Sequence, residues 1–432
     1  MQGKCPIDID SQGTLSIWGA DILPVGARTA RLANNRRFAT SSATYALISK
    51  VMNEEKQPIR VGLIGYGYAG RTFHAPLIRS VPGLQLTHIG STKPDVVRAD
   101  LPGSTVGTAE EISTHPEVDL VVIASPNESH FPLAAAALRA GKHVVIDKPF
   151  TVTLEEARSL RDIAKQHRRL LSVFHNRRWD SEILATKSIL DSGLLGDVSH
   201  YECHMDRFRP LVRKRWREDP GPGAGLWFDL GPHMIDQALY LFGLPTCVNA
   251  EFGILRKGGK TDDWAHVQLI YKDAGADRLR VILHSSLLVS GGGPRSTLHG
   301  TRASWVKFGA DVQEPQLISG MLPDDPAFGV DPSPGVLING ETGSRKEFPA
   351  PKGDQRMYYV DICDAIQNQR PPIITAKDAV AVIAVLETSF KSGAEGRVLP
   401  LPLTQEELTE CNKAPVVTAE TTAAADHAAQ ER

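Results

Sequence analysis

Three short runs in this chain carry side chains able to move a proton or steady a developing charge. In W-F-D-L-G-P-H-M-I-D-Q-A, Asp229, His233 and Asp236 recur at spacings of four and three, which puts them on about one face of any helix running through them. Pro232 suits the first turn of such a helix, where its missing N–H costs nothing. Imidazole titrates near neutrality and takes a proton from a hydroxyl, while a carboxylate one turn away orients the ring and supports its charged form. A capping or interdomain hydrogen-bond group fits the same spacing equally well. In the second run, Asp147-Lys148-Pro149 follows His143–Ile146, which reads as a parallel strand. An ammonium at that sheet edge would hydrogen-bond a reacting oxygen and stabilise alkoxide character; a plain surface lysine ahead of a helix is the other reading. The third run, H-N-R-R-W-D from His175 to Asp180, falls where the residue pattern changes. It offers either cleft residues or a hinge packed by Trp179 with its arginines solvated or ion-paired.

A fourth run belongs to a different chemistry. Directly after Ile59–Ile64, which reads as a buried strand, come Gly65, Tyr66, Gly67, Tyr68, Ala69 and Gly70, then a helix-forming segment. Gly65 permits a tight turn, Gly67 lets the backbone approach a pyrophosphate, and Gly70 allows close helix–strand packing, while the helix N-terminus offers N–H groups to phosphates. The motif is weak alone and gains weight from the strand before it and the helix after it; a glycine-rich packing loop is the alternative. Where an acid would hold a ribose 2′-hydroxyl, the chain shows Ser91, Thr92 and Lys93. Hydroxyls and an ammonium suit a 2′-phosphate, which favours NADP over NAD unless Lys93 is only a solvated cation. Ser125, Pro126, Asn127 and His130 follow Leu120–Ala124 at a second carboxyl edge, where Asn127 either touches the cofactor or caps the next helix.

The elements that must position these residues are legible from periodicity. Apolar runs at Ile59–Ile64, Leu84–Ile89, Leu120–Ala124 and His143–Ile146 alternate with helical segments such as Phe73–Val81, Phe131–Ala140 and Leu154–His167. That alternation predicts an α/β fold beginning with a Rossmann, doubly wound parallel sheet. After about Phe174 longer alternating runs at Val198–His204, His266–Tyr271 and Leu279–Leu287 predict a mostly antiparallel open sheet, with helices at Phe228–Leu241, Tyr358–Gln367 and Asp378–Phe390. The domains expected are 59–174 for the dinucleotide and 175–405 for substrate and oligomerisation, between an irregular extension, 1–58, and a disordered tail, 406–432.

Composition narrows the class. The 432 residues are 41% hydrophobic with a formal net charge of -2, an ordinary globular balance that argues against nucleic acid as the main partner. A second basic stretch, R-F-R-P followed by R-K-R-W-R (Arg207 to Arg217), has interleaved aromatics, yet its small extent reads as a loop near the cofactor or a subunit contact. Five scattered cysteines without a C-x-x-C pair write neither a disulfide framework nor a thiolate metal site, which points to a reducing compartment and no metal. No stretch approaches the ~20 apolar residues of a membrane span. A cytoplasmic location is expected; the acid-free, arginine-bearing part of the extension has transit-peptide composition, so mitochondrial targeting is the alternative.

Taken together, G-Y-G-Y-A-G, A-S-P-N-x-S-H, D-K-P, H-N-R-R-W-D and D-L-G-P-H-M-I-D resemble the glucose–fructose oxidoreductase/inositol dehydrogenase/rhizopine catabolism (Gfo/Idh/MocA) family over about Ile59 to Leu403. H-N-R-R-W-D, D-R-F-R-P and G-P-R followed by H-G are similar to its branch of NADP-dependent scyllo-inositol dehydrogenases. The resemblance implies a C-terminal open sheet facing substrate on one side and often a subunit partner on the other, hence a homo-oligomer, dimer or tetramer. It further implies that Lys148 is the active-site lysine, that Asp229 and His233 form the D-x-x-x-H pair with His233 as proton acceptor, and that Asn176 lies near the nicotinamide. D-K-P replaces the usual E-K-P, so Asp147 is one methylene shorter at unchanged charge. The function expected is hydride transfer between a nicotinamide cofactor and a secondary alcohol of a cyclitol or sugar, with Asp229 orienting the imidazole. A non-catalytic NAD(P)-binding regulator and a reductase of a non-carbohydrate carbonyl are the alternatives.

Overall fold

A computed structural model of the chain describes residues 57–273 and 275–412. The expectations for the extension up to 56, its targeting reading included, and for the tail from 413 lie outside those residues, as does Cys5.

Short runs of Val, Ile and Leu with no polar alternation can be satisfied only where both faces are covered. Ile59–Ile64 (β1), Leu84–Gly90 (β2), Thr105–Gly107 (β3), Leu120–Ile123 (β4), His143–Ile146 (β5) and Leu171–Val173 (β6) form one parallel sheet in the order β3-β2-β1-β4-β5-β6. All four residues of β4 are fully buried. Ala75–Arg79 (α1), Pro94–Asp100 (α2), Ala109–Thr114 (α3), His130–Arg139 (α4) and Leu154–His167 (α5) connect the strands. The strand order reverses between β1 and β4, which opens a crevice at their carboxyl ends, the place where doubly wound sheets take ligands.

After Ser181–Asp191 (α6) the pattern turns to alternation. Val198–His204 (β7) precedes the long helix Leu226–Phe242 (α7), followed by Cys247–Gly253 (β8), Trp264–Asp273 (β9), Ala276–Ser286 (β10), Ser296–Gly300 (β11) and Ala303–Lys307 (β12). Beyond Gln313–Ile318 (α8) come Gly335–Asn339 (β13), Arg345–Phe348 (β14), Met357–Gln367 (α9), Ala376–Glu395 (α10), Leu399–Pro400 (β15) and Gln405–Asn412 (α11). The nine strands pair as β14-β13-β12-β11-β7-β10-β9-β8-β15, antiparallel except where β7 meets β10. Along β12 buried and part-buried residues alternate strictly, as a sheet with one covered face requires.

One helix ties the two sheets together. The A-V-A-V-I-A-V-L run of α10 is apolar on every side, so the helix is stable only when enclosed. It packs on α5 and β6 of the parallel domain and on α7 and β8 of the open-sheet domain. The Leu154 N–H at the start of α5 is accepted by Glu387 of α10 at 2.9 Å.

Two expectations need correction. Pro232 is not in a first turn: α7 begins at Leu226, because Asp262 accepts the Trp227 N–H at 2.7 Å ahead of it, which leaves the proline inside the helix. The tail does not start at 406. Thr404 and Glu407 cap each other's main-chain N–H groups, so α11 runs to Asn412. Glu407 is buried and accepts both arms of Arg158, at 2.7 and 2.8 Å, and one of Arg161 at 2.9 Å. Hydrogen bonds from Arg158 are the chief cause holding its carboxyl down at about 2. The native value lies below the unfolded one, so its stabilisation is complete above the ordinary pKa of 4.5 and is lost as pH falls towards 2. Glu407→Ala is therefore expected to cost about 1–2 kcal/mol at pH 7, a figure discounted for the part-exposed arginines. The difference from wild type in denaturant midpoints should narrow as the solution is acidified through that window; a flat difference would refute the assignment.

Candidate active site

The crevice between β1 and β4 is shaped by glycines with distinct jobs. Gly65 has φ +95, and a Cβ there would stand 2.4 Å from the Ala124 carbonyl oxygen. A Cβ on Gly70 would fall 1.9 Å from the Gly65 oxygen. Both positions are closed by packing. Gly67 differs, since a Cβ there meets no atom within 4 Å, so its backbone faces open space at the sheet edge, as the approach of a dinucleotide pyrophosphate needs. The segment after it begins as a π-turn, Gly70–His74, ahead of α1; such turns are frequent at functional sites.

Around that crevice some of the remaining expected cofactor residues are already engaged and others stand exposed. Tyr66 is buried, with its hydroxyl donating to Asp100 at 3.3 Å. Ser91 accepts the Lys93 N–H at 3.0 Å, and Thr92 and Lys93 stand exposed or part-exposed ahead of α2. Ser125 shares a 2.6 Å hydrogen bond with Ser129, and Pro126 is exposed. Asn127 neither caps nor faces the cavity described below: its amide donates to the Gly223 carbonyl at 3.0 Å, which ties the β4 edge to the open-sheet domain. His130 is buried between the carbonyls of Pro149 (2.9 Å) and Ser125 (3.0 Å), so it joins the two edge loops from behind.

Lys148 stands at the end of β5 and reaches across to α7. Its Nζ donates to the Asp229 main-chain carbonyl at 2.8 Å and to Asp229 Oδ1 at 3.1 Å. Pro232 has no N–H for the Phe228 carbonyl, so the helix ladder is interrupted one residue before the carbonyl that Lys148 uses. Asp147 lies beside the buried ring of His74, at 3.8 Å, and His74 hydrogen-bonds the Tyr359 hydroxyl. Burial acts against its charge, yet His74 and Lys148 bring its carboxyl below the ordinary value.

A cavity of about 380 Å³ gathers Tyr68, Ala69, Asp147, Lys148, Asn176, Asp229 and His233. Asn176 is fixed there by donating to Gln355 at 2.8 Å. The H-N-R-R-W-D residues are not a solvated hinge. Arg178 pairs with Asp236 at 2.6 Å with both side chains 2% exposed, and His175 lies 3.8 Å from the same carboxylate.

The helical trio therefore divides. Asp236 serves Arg178, and Asp229 is held by Lys148 and, at 3.6 Å, Arg217. The expected orienting role of Asp229 towards His233 does not match this geometry, because His233 Nδ1 is buried without a hydrogen-bond partner. Burial pushes His233 well below its ordinary value, and the nearby Lys148 and Arg177 charges push the same way. Asp229 is the reverse: burial disfavours its charge, but Lys148, Arg217 and Arg207 depress its carboxyl strongly. At neutral pH the site thus holds an ammonium–carboxylate pair beside a neutral imidazole.

Sequence reasoning missed Glu314 and gave Arg177 no role of its own within its run. Arg177 donates to Asp180 at 3.0 Å and to Glu314 at 3.1 Å, and Glu314 also accepts the Tyr68 hydroxyl at 2.7 Å. Glu314 comes from α8, far along the chain, with no motif around it. The R-F-R-P…R-K-R-W-R loop, expected near the cofactor or at a subunit contact, lines the same cavity.

A glycine turn open to a pyrophosphate, joined to a lysine, a carboxylate and a neutral histidine in one cavity, defines an NAD(P)-dependent oxidoreductase. The comparisons specify which. Residues 59–175 match "Oxidoreductase family, NAD-binding Rossmann fold", and 187–403 match "Oxidoreductase family, C-terminal alpha/beta domain". The chain belongs to the Gfo/Idh/MocA family. It is 46% identical over 346 residues to the uncharacterized oxidoreductase YdgJ of Escherichia coli, covering 79% of this chain and 99% of that protein. It is 36% identical over 348 residues to the scyllo-inositol 2-dehydrogenase (NADP(+)) IolW of Bacillus subtilis, 79% and 96% covered. A crystal structure of a putative oxidoreductase from Klebsiella pneumoniae superposes with a TM-score of 0.77 at 48% identity, over 82% of this chain and 98% of that one. Among the described residues no helix is long and apolar enough to cross a membrane, and the four cysteines there are free thiols.

The glycine geometry gives a direct test. Gly67→Ala should fold with an unchanged melting temperature yet weaken NADPH binding by about tenfold or more, ~1.4 kcal/mol, in a fluorescence titration. Gly70→Ala should lose stability first. Equal NADPH affinity in Gly67→Ala and wild type would remove the pyrophosphate from this turn.

Proposed function

We propose that the protein interconverts a secondary alcohol of a cyclitol or sugar with its ketone, using NADP in preference to NAD. One observation carries the reading: Lys148, Asp229 and His233 line a single cavity at the carboxyl edge beside the open Gly67 turn. The hydroxyls and ammonium of Ser91, Thr92 and Lys93, and the name of the IolW relative, support NADP and a cyclitol. Assembly as a homo-oligomer through the far face of the open sheet, which the family implies, belongs to the same reading.

A nicotinamide cofactor held at the Gly67 turn would supply the hydride acceptor or donor for the carbinol carbon. The chain's own residues handle the oxygen and its proton. Lys148, held by Asp229, donates a hydrogen bond to the reacting oxygen and stabilises negative charge on it. His233 is neutral and unprotonated, so in the oxidative direction it accepts the hydroxyl proton. Asp229 acts on the ammonium, not the imidazole: it keeps Lys148 pointed into the cavity.

Purified protein with NADP or NAD and a panel of inositols and aldoses should show nicotinamide absorbance changes, with Lys148→Ala lowering kcat/KM by about 10²–10³-fold. Tight NADPH binding with no turnover on any polyol would sink the reading. The pH profile gives a separate check. Because His233 titrates below 6.5, oxidation should stay at its plateau down through that pH, and in residual Lys148→Ala turnover the acid limb should move up towards 6.5. An acid limb that stays put in the variant would remove the charge coupling.

A further inference from the structure

The loop between β7 and α7 brings Arg207, Arg209, Arg213, Arg215 and Arg217 to the cavity that holds Lys148 and His233. With Arg177 and Lys148 these make seven cations, against the three carboxylates of Asp147, Asp229 and Glu314. The loop is pinned rather than draped: Arg207 N–H donates to the Ser286 carbonyl at 2.9 Å and Arg209 N–H to the Leu287 carbonyl at 2.7 Å. Asp206 accepts the Ser286 N–H in return at 2.9 Å.

The cations differ in what they already hold. Arg177 pairs with Asp180 and Glu314, Arg215 with Glu218, and Arg217 lies near Asp229 and over the Trp216 ring. The guanidiniums of Arg207, Arg209 and Arg213 have no hydrogen bond or ion pair among the described residues. They run from the partly buried Arg207 outward to the exposed Arg213. Burial acts against the charge of Arg207, which Asp229 and Glu314 partly offset, and burial together with the neighbouring guanidiniums acts against that of Arg209. Like charges gathered on a concave wall repel one another, and an anion relieves that cost. A neutral polyol needs no such wall, since uncharged amides and hydroxyls bind its hydroxyls without the repulsion.

We infer that the substrate of this site is an anionic polyol, its reacting hydroxyl at Lys148 and His233 and its phosphate monoester or carboxylate held by Arg207, Arg209 and Arg213. The inference rests on the dehydrogenase reading above for the hydroxyl end only; the anion site stands on the arginines.

Full-length protein saturated with NADPH is titrated by calorimetry with glucose, glucose 6-phosphate and glucuronate, and with myo-inositol and inositol 1-phosphate. The same probes are assayed for turnover with NADP. At least one anionic probe should bind ten times or more as tightly as its neutral counterpart, with an affinity that falls as salt is raised. The order of phosphate and carboxylate then identifies the group. In the Arg209→Gln/Arg213→Gln double variant, both at part-exposed or exposed positions, that preference should drop at least tenfold while NADPH affinity is kept. Equal binding of neutral and anionic probes overturns the inference, as does a loss that appears in NADPH affinity, which would give the arginines to the cofactor. Polyol turnover without anion preference leaves the dehydrogenase reading standing and this one refuted. Arginine-dependent anion binding without turnover of any probe does the reverse.

Discussion

Everything at this site depends on one ammonium crossing between two domains. Lys148 belongs to the edge of the parallel sheet, and the carboxylate and carbonyl it grips belong to α7 of the other domain. A part-buried ion pair is stable only if its remaining hydrogen-bonding groups are satisfied, so the pair fixes the approach of the domains rather than tolerating a range of them. Once α7 is seated by that contact, His233, one turn further on, has to face the same cavity. The other interdomain contacts serve this closure. Tyr359 meets His74 behind Asp147, Tyr358 donates to Ser172 of β6, Asn127 holds Gly223, and α10 runs between both cores.

Burial first, and then the charge of the same lysine, sets the state of the imidazole. The charges that act most on His233 are cations, and its buried Nδ1 meets no hydrogen-bond partner among the described residues, an arrangement opposite to the histidine–carboxylate couple that helical spacing suggests. A base so placed holds its acquired proton weakly. At neutral pH it therefore stands unprotonated, as a proton acceptor must, with Lys148 beside it to stabilise charge on the reacting oxygen.

What could be read from the residues, and what could not, follows from the range of each constraint. Burial on both faces dictates unbroken apolar runs, so β1, β4 and β5 and the lysine at the end of β5 were legible, as were the turn at Gly65 and the close packing at Gly70, which are local backbone requirements. Partner choice was not. A spacing of three or four places Asp229, His233 and Asp236 on one broad face, but which ion each meets is decided by Lys148 and Arg178, residues fixed by other elements. Asn176 and Gln355 are 179 positions apart and Tyr68 and Glu314 246, separations about which local periodicity says nothing. His130 looked like a ligand because it stands at a carboxyl edge; it faces inward, its two ring nitrogens against the Pro149 and Ser125 carbonyls, one of which a neutral imidazole can serve as donor. The tail misled for a related reason. Its Ala, Thr and Glu composition is that of a mobile end, yet one capping pair and one carboxylate aimed at Arg158 and Arg161 suffice to carry a helix to Asn412.

The arrangement of charge within the cavity is graded. Nearest the reacting groups each cation has its carboxylate, Lys148 with Asp229 and Arg177 with Glu314, so the field where the oxygen would sit is that of fixed, oriented dipoles. Farther out along the β7–α7 loop the balance fails, and among the described residues the guanidiniums of Arg207, Arg209 and Arg213 make no hydrogen bond or ion pair, with Arg207 near enough to Asp229 and Glu314 to feel their charge. A wall compensated at the chemistry and uncompensated away from it aligns an asymmetric ligand, one end neutral and the other charged, and it does so before any close contact because the unpaired charges act over the longest range. In sequence that loop looks like a nucleic-acid patch, basic with aromatics between. Folding turns it concave, so that its charges converge on a pocket the size of a small molecule and cannot lie along a backbone of phosphates.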